Sequence, residues 1–384
     1  MHLDFALSPE EKDLREEIVA FSREHLNEGA IERDRNQHFP HDLWLKCGEL
    51  RLQGLLIPEE YGGRGLTPLS AALAIEALGY GCSDGGLSFA ICAHLLACAV
   101  PIIRHGTDEQ RRAWLPGMAN GTFVAANAMS EPATGSDAFA LTTAAARSSE
   151  GFVIEGRKTF VSNAPVADLF VVYAATDRER GFHGGVTCFL VGAGASGVAA
   201  GPPLEKMALR SCLMGDVVLD NAAVPESAVL GKVGGGAPIF AESMEWERVL
   251  LVALHVGAME RILEAAVAHA RVRSASGQSL GKFQAVAHRL ADMKVRLEAT
   301  RHLVYRAAAD LGQTRQSGLS ASVAKLFGSE ALYSTAADAV RNLGGSGVLV
   351  EREAERALRD AVAATTYSGT SDIQRNIISR WLGL

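Results

Sequence analysis

The chain has 384 residues, enough for two or three domains with buried cores at about 150 residues per domain. Hydrophobic residues make up 48% and charged residues 21%, which is typical of a folded globular protein and excludes a disordered chain. The formal net charge of −7 argues against a nucleic-acid footprint and does not favour an anionic membrane surface as a partner.

The first region, residues 1–119, has a helical pattern and is predicted to be an α-helical domain. Its first helix should begin at Ser8, because Pro9 and two glutamates follow this N-cap residue. Residues 87–103 form the most apolar stretch. They contain a histidine and a proline and fall short of the ~20 residues that span a bilayer, so they predict a buried helix. Residues 1–5 lack the basic start of a secretory signal, and none is expected.

The second region, residues 120–232, changes to short runs of β-branched and aromatic residues that Gly and Pro separate. The clearest runs are residues 151–156, 169–173, 186–191 and 217–220. This pattern predicts an antiparallel, barrel-like β domain.

The third region, residues 233–384, returns to helices and predicts a four-helix bundle. Two long amphipathic helices should cover residues 242–271 and 283–311, and two shorter ones residues 320–340 and 350–364. The order helical, β, helical predicts an α+β fold. It argues against a doubly wound sheet, in which strands and helices alternate. No GxGxxG motif follows a predicted strand, so any flavin or nucleotide must be bound by other structural features.

The six cysteines show no CxxC pair. They predict buried thiols rather than disulfides or zinc ligands, and no metal site is expected. The protein is expected to be cytoplasmic, a compartment in which cysteines stay reduced. The cysteines are Cys47, Cys82, Cys92, Cys98, Cys188 and Cys212.

Five segments together resemble the acyl-CoA dehydrogenase family, and the resemblance covers essentially the whole chain. They are residues 57–63 (IPEEYGG), 129–137 (MSEPATGSD), 156–164 (GRKTFVSNA), 343–347 (LGGSG) and 367–375 (YSGTSDIQR). Each is weak alone, but the five occur in the family's order and at family-like intervals. The resemblance implies the family's fold and FAD as the cofactor.

The same resemblance implies which residues bind FAD. Ser130 would present its hydroxyl to the flavin pyrimidine edge. Phe160 would lie against the isoalloxazine, where the family usually has Trp, and Ser162 would lie near N5. Gly344 and Gly345 would let backbone N–H groups approach the pyrophosphate, where a Cβ would clash. The other positions matched to cofactor contacts are Met129, Ser136, Arg341, Thr370 and Asp372.

Two further positions point to a neighbouring subunit. Arg273 and Gln284 match family contacts to the adenosine half of a neighbour's FAD. A shared site implies a homo-oligomer, commonly a tetramer in this family. Ser276 stands where the family has an aromatic residue, so part of that contact is missing.

The catalytic base differs from that of most family members, which carry a glutamate at the position of Ser368. Serine has no useful basicity near neutral pH. A minority branch, which includes isovaleryl-CoA and long-chain acyl-CoA dehydrogenases, takes its base from a helix, immediately before an arginine. Glu247 and Arg248 match this arrangement, so Glu247 is predicted to be the base. The alternative is a solvated carboxylate on a helix that also carries Glu242, Glu245 and Glu260.

Residues near this base are predicted to contact the substrate. They are Arg248, Tyr367, Ser368 and Gly369. A buried, unpaired guanidinium is costly, so Arg248 should meet a carboxylate or line the acyl cavity. His94 and His255 lie on apolar helices, and packing in the core is the favoured interpretation for both, although His255 could approach the site from the face of Glu247.

Within the family, the sequences Trp-Glu-Arg at 246–248 and Ser-Gly-Thr at 368–370 are similar to dehydrogenases that act on carrier-protein thioesters. This likeness implies FAD-dependent α,β-dehydrogenation of an acyl or aminoacyl group on the phosphopantetheine arm of an acyl or peptidyl carrier protein. The reaction that this likeness favours is oxidation of an L-prolyl thioester towards the pyrrolyl-2-carboxyl thioester. This reaction belongs to antibiotic biosynthesis. An electron-transfer flavoprotein is one candidate electron acceptor.

Two other functions stay open at this point. One is dehydrogenation of a short- or branched-chain acyl-CoA with Glu247 as the base. The other is a flavin-dependent oxygenase on the same fold, which would not need Glu247.

Overall fold

A computed structural model describes residues 7–138, 140–314 and 316–384 of the chain. Residues 1–5, where no secretory signal is expected, lie outside the described residues.

Helices form the first part of the molecule, as predicted. They are α1 (Pro9–His25), α2 (Ala30–Asn36), α3 (His41–Glu49), α4 (Pro68–Gly81), α5 (Gly85–His94), α6 (Val100–His105) and α7 (Asp108–Ala119). Ser8 begins α1 with a capping box, in which Ser8 and Glu11 each accept a hydrogen bond from the other's backbone N–H. This confirms the predicted helix start.

The most apolar segment is a nearly continuous helix in the core. Helix α5 passes through a π-helical turn, Leu95–Ala99, into α6. By length and composition alone, Gly85–His105 could cross a membrane, but its most apolar window is 89% buried inside the protein. The prediction of a buried helix is therefore confirmed.

An eight-stranded sheet forms the middle part of the molecule. Its strands are β1 (Ala125–Ala128), β2 (Ala144–Arg147), β3 (Gly151–Ser162), β4 (Leu169–Ala175), β5 (Val186–Gly192), β6 (Val198–Ala200), β7 (Met214–Pro225) and β8 (Val229–Leu230). The strand order is β6-β7-β3-β2-β4-β5-β8, with β1 also paired to β4, and a short helix, α8 (Phe182–Gly185), precedes β5.

The sheet is mainly antiparallel, as predicted, but it departs from that prediction at two pairings, because β1 and β2 each run parallel to β4. Strand β3 reverses the chain and pairs on the other side of β2, so β4 returns beside β2 in the same direction. The sheet curves around its own core, as the predicted barrel-like shape requires. Phe152 on β3 reaches Phe189 on β5, with ring centroids 5.2 Å apart, although two strands separate β3 from β5 in the sheet.

Helices return after the sheet. They are α9 (Gly236–Val272), α10 (Gln284–Asp310), α11 (Ser317–Leu343), α12 (Glu353–Ala364) and α13 (Ser371–Trp381), with a small hairpin, β9 (Ser274–Ala275) and β10 (Gln278–Ser279), between α9 and α10. Helix α11 is longer than predicted, and α13 is a fifth helix that the sequence pattern did not indicate. The limits of the three predicted domains stay a prediction.

The first and last helical regions pack closely. A Cβ on Gly257 of α9 would overlap the backbone oxygen of Glu76 on α4, so only glycine permits this approach. All six cysteines are buried and free, which confirms the prediction of reduced thiols.

Candidate active site

A cavity of about 900 Å³ lies where the sheet, α5, α9 and the loop before α13 meet. It gathers many of the residues that the sequence predicts to be functional. Those in its wall are Met129, Ser130, Ser136, Phe160, Ser162, Glu247, Arg248, Tyr367, Ser368, Gly369 and Thr370. Two walls, one from the sheet and one from the helices, face each other across this space.

The sheet wall presents an exposed aromatic ring. Phe160 has a φ of +55°, which is rare for a bulky residue, and lies at an irregularity in the pairing of β3 with β7 between Lys158 and Val161. Its side chain is 65% exposed. Backbone strain of this kind is typical of functional positions, and here it turns an apolar ring into the cavity.

A buried ion pair supports the sheet wall from behind. Lys158 Nζ lies 2.9 Å from Glu131 Oε1 and donates to the backbone oxygen of Met129 at 3.1 Å. Both charged side chains are fully buried. Burial opposes ionisation of Glu131, but hydrogen bonds from Thr142 and the charge of Lys158 hold its pKa well below the usual range. This network fixes the segment that carries Ser130.

The helix wall presents a buried carboxylate. Glu247 is 8% exposed and accepts a hydrogen bond from the hydroxyl of Ser368. Burial raises its pKa, while the hydrogen bond from Ser368 and the charges of Arg248 and Lys325 act in the opposite direction. Glu247 is therefore a carboxylate of the cavity wall, and the alternative of a solvated surface residue does not hold.

The loop before α13 is held in an unusual backbone conformation. Ser368 has a φ of +54° and Gly369 a φ of +86°. Arg248 Nε donates to the backbone oxygen of Ser368 at 3.1 Å, and Gln374 Nε2 donates to those of Ser368 and Gly369 at 3.2 and 2.9 Å. These bonds fix the Ser368 hydroxyl against Glu247, and Arg248 lines the cavity as the sequence predicts.

The two histidines have different surroundings. His94 Nδ1 accepts from the N–H of Ala125 at 2.9 Å, so its Nε2 donates to the backbone oxygen of Met118 at 3.2 Å. Burial lowers its pKa to about 4, and it is the neutral core histidine that was predicted. His255 is also buried, but its Nε2 lies 2.6 Å from the hydroxyl of Tyr367, in the cavity wall.

Comparisons with known proteins match nearly the whole chain to one family. Three family models match the chain: "Acyl-CoA dehydrogenase, N-terminal domain" at residues 8–122, "middle domain" at 126–222 and "C-terminal domain" at 234–383. The chain belongs to the acyl-CoA dehydrogenase family. Like other acyl-CoA dehydrogenase family members, it is an FAD-dependent dehydrogenase.

Several proteins similar to the chain have names that refer to a prolyl carrier protein or to proline. The chain is 43% identical, over the full length of both, to an L-prolyl-[peptidyl-carrier protein] dehydrogenase of Pseudomonas fluorescens. Its structure matches that of the prolyl acyl carrier protein oxidase AnaB, with a TM-score of 0.96 and 38% identity over 99% of this chain and 100% of the other. It also matches PigA with FAD and proline, with a TM-score of 0.97 and 36% identity over both full chains.

The cavity has the chemistry that the FAD of an acyl-CoA dehydrogenase requires. Phe160 offers a flat apolar surface, and Ser130 and Ser162 offer hydroxyls. Asn127 Oδ1 is buried in the same wall without a hydrogen-bond partner among the described residues. An unpaired buried acceptor of this kind fits an N–H of a flavin ring.

Six predicted cofactor residues lie outside this cavity. They are Arg273, Gln284, Arg341, Gly344, Gly345 and Asp372. No described atom lies within 4 Å of a Cβ placed on Gly344 or Gly345, so the expected clash depends on the cofactor itself. The φ of +61° at Gly344 is the chain's own reason for glycine there. The roles of these six residues stay a prediction.

Several residues of this acyl-CoA dehydrogenase site were not predicted from the sequence. They include Asn127, the Lys158–Glu131 pair, the His255–Tyr367 contact and Lys325, which is 1% exposed behind the helix wall. A signal for Lys325 exists in the sequence, because it interrupts an apolar helix face that contains Ala321, Ala324 and Leu332.

Proposed function

We propose that the protein dehydrogenates an aminoacyl thioester on a carrier protein, converting an L-prolyl thioester towards the pyrrolyl-2-carboxyl thioester. The observation that carries the proposal is the placement of Glu247, buried in the cavity wall and hydrogen-bonded by Ser368. The likeness to a prolyl-carrier-protein dehydrogenase, to AnaB and to PigA supports proline as the acyl group.

The proposed reaction begins with proton removal by Glu247 from the α-carbon of the thioester. FAD, when bound, supplies the acceptor for the hydride that leaves the β-carbon. Desolvation in the cavity makes Glu247 a stronger base than a solvated carboxylate, which suits it to a weakly acidic C–H. Backbone donors of the loop at Ser368 and Gly369 would stabilise the negative charge on the thioester oxygen.

The products follow from counting hydrogens. Each round removes one proton and one hydride, hence two electrons, from the acyl group. A prolyl group loses four hydrogens when it becomes a pyrrolyl group, so two rounds and a proton shift are required. Glu247 must release its proton to solvent between the rounds, and the flavin must be reoxidised.

Glu247→Gln tests the assignment of the base. Gln keeps the size of the side chain but cannot accept the proton, so the variant should retain FAD and lose bleaching of the flavin by the carrier-bound substrate. Glu245→Gln is the matched control, because Glu245 lies on the same helix and accepts from Ser317 at 2.9 Å. Bleaching of Glu247→Gln at the wild-type rate would refute the base.

Mass spectrometry of the carrier tests the substrate. After incubation with the holoenzyme, an L-prolyl carrier should lose two or four hydrogens, and the same acyl group on free CoA should react more slowly. Equal or faster turnover of a short- or branched-chain acyl-CoA would contradict the carrier-protein proposal.

We also propose that the protein works in the cytoplasm as a homo-oligomer, with a tetramer expected. The six free, buried cysteines support a reducing compartment. Exposed apolar side chains support contact between subunits, since Val348, Leu349 and Val350 are 50–65% exposed beside the Gly344 turn. Light scattering should give four times the chain mass, and a monomer would contradict the prediction. The electron acceptor is either an electron-transfer flavoprotein or oxygen, and comparing turnover with each acceptor supplied alone decides between them.

A further inference from the structure

Lys325 is a buried cation without a hydrogen bond. Its side chain is 1% exposed, and its Nζ has no hydrogen-bond partner among the described residues. Ser322 and Ser329, on the same face of α11, also bury hydroxyls that lack partners in the described part of the chain. A buried ammonium without an acceptor costs stability, so this position requires an explanation other than packing.

The packing of α11 on α9 places Lys325 behind the proposed base. The two helices run in the same direction. At one end, Ser317 of α11 donates to Glu245 of α9 at 2.9 Å. Further along, a Cβ on Gly328 would overlap Val252, so the helices touch there as well. Lys325 lies between these two contacts, and its charge acts on Glu247 and His255 of α9.

The charged surroundings of Lys325 and Glu247 contain few anions. The titratable and charged groups that interact with one or both of them are Arg248 and His255 on α9, Glu330 on α11, Cys92 and Cys98 on the segment Gly85–His105, and Tyr367 in the loop before α13. Glu245 acts on Arg248. Glu330 also faces Arg375 of α13 at 3.7 Å. Glu330 and Glu247 both act on Lys325. The side chain of Glu330 is 45% exposed, whereas Glu247 is buried, so Glu247 is the buried carboxylate of these two.

We propose that Lys325 is a positioning residue for the reaction, which holds Glu247 ionised without touching the substrate. This role rests on the proposed function of Glu247 as the base. Burial alone would raise the pKa of Glu247, and the charges of Arg248 and Lys325 oppose that rise. Removal of the ammonium would leave burial less opposed, so Glu247 would take up a proton at a higher pH.

Exchange of the substrate's α-hydrogen with D2O measures this effect. In holoenzyme whose flavin has been reduced beforehand, no hydride can leave, so exchange on a carrier-bound prolyl thioester reports the base alone. The variants are Lys325→Met and Lys325→Arg, with Ser322→Ala as the control on the same face of α11.

In Lys325→Met, we expect the acid limb of the exchange profile to move up by about one pH unit, with a rate about tenfold lower on that limb and a nearly unchanged plateau. Lys325→Arg should restore the wild-type profile, and Ser322→Ala should not move it. A structural role would lower the rate at every pH and would not be rescued by charge.

Three results would overturn the proposal. The Lys325→Met profile could coincide with that of the wild type, Lys325→Arg could be as impaired as Lys325→Met, or Lys325→Met and Lys325→Gln could both fail to fold, which would make the lysine structural. Glu247→Gln separates the two levels of the argument. Persistent exchange in that variant refutes the base and its positioning residue together, whereas lost exchange with an unmoved Lys325→Met profile refutes the positioning residue alone.

Discussion

Two buried lysines lie behind the two walls of the cavity, and they are held in opposite ways. Lys158, behind the sheet wall, has Glu131 at 2.9 Å and the backbone oxygen of Met129 at 3.1 Å. Lys325, behind the helix wall, has no hydrogen-bond acceptor among the described residues. Burial lowers the pKa of both ammonium groups.

The difference indicates two uses of a buried charge. A fully hydrogen-bonded pair fixes the backbone around it, and here it fixes the segment of Ser130, whose carbonyl accepts from the N–H of Thr159 at 2.9 Å. A cation without a hydrogen bond does not fix the backbone around it, but no contact partner neutralises its charge. That charge can therefore act on a neighbouring carboxylate. The first lysine should therefore matter most for stability, and the second for the protonation of Glu247.

The largest effect is expected when the Lys158–Glu131 pair behind the sheet wall is broken. Lys158→Met leaves the Glu131 carboxylate buried without its cation, and we expect the free energy of unfolding to fall by about 3–5 kcal/mol. Urea denaturation of the holoenzyme measures it. The double variant Glu131→Gln, Lys158→Met removes both charges and should recover most of the loss. A single variant as stable as the wild type would show that the pair is not structural.

Replacing Lys325, behind the helix wall, should change the free energy of unfolding in the opposite direction. Lys325→Met removes an unpaired buried ammonium and keeps a side chain of similar length, so we expect the free energy of unfolding to rise by about 1–3 kcal/mol. The same denaturation experiment measures it. A loss of stability as large as that of Lys158→Met would remove the distinction between the two lysines.

The pH dependence of stability sharpens the same distinction. Burial and the charge of Arg248 lower the pKa of Lys325 from an ordinary 10.5 to about 8. Between these values the unfolded chain binds more protons than the folded one, so Lys325 makes stability rise with pH over that window. We expect Lys325→Met to flatten this part of the curve. Lys294→Met is the control, because that lysine is 57% exposed, and it should leave the slope unchanged.

The smallest effect is expected at Phe160, whose ring the sheet wall presents to the cavity. Phe160→Trp enlarges an exposed aromatic surface in a backbone conformation that is already set, so we expect FAD to bind a few-fold more tightly with little change in stability. Fluorescence titration of the apoenzyme with FAD measures this affinity. Weaker binding of FAD by Phe160→Trp than by wild type would mean that the cavity cannot hold a larger ring at this position.

The sequence predicts those parts of the site that short motifs encode. Ser130, Phe160, Glu247 and Ser368 each belong to a local segment with its own pattern, and the cavity contains all four. The contact of Ser368 with Glu247 could not be predicted from spacing, since 121 positions separate them and the contact depends on a positive φ at Ser368.

Features that depend on pairing between distant elements were missed or wrong for the same reason. The parallel pairing of β1 with β4 is set by how the chain returns past β2 and β3, which residue alternation does not record. Lys325 is charged in a position that the helix pattern assigns to the core. Only the partner helix, with Gly328 against Val252, shows what the lysine faces.

The π-helical turn at Leu95–Ala99 has a consequence for protein engineering. It lies in a helical segment that lines the cavity with two small side chains, Ala93 and Ala97, next to Phe89. Larger apolar residues at Ala93 or Ala97 would reduce the volume of the cavity stepwise. Helix α9 and Glu247 would not be changed. Libraries at these two positions are therefore a direct route to enzymes with a narrower or shifted choice of acyl group.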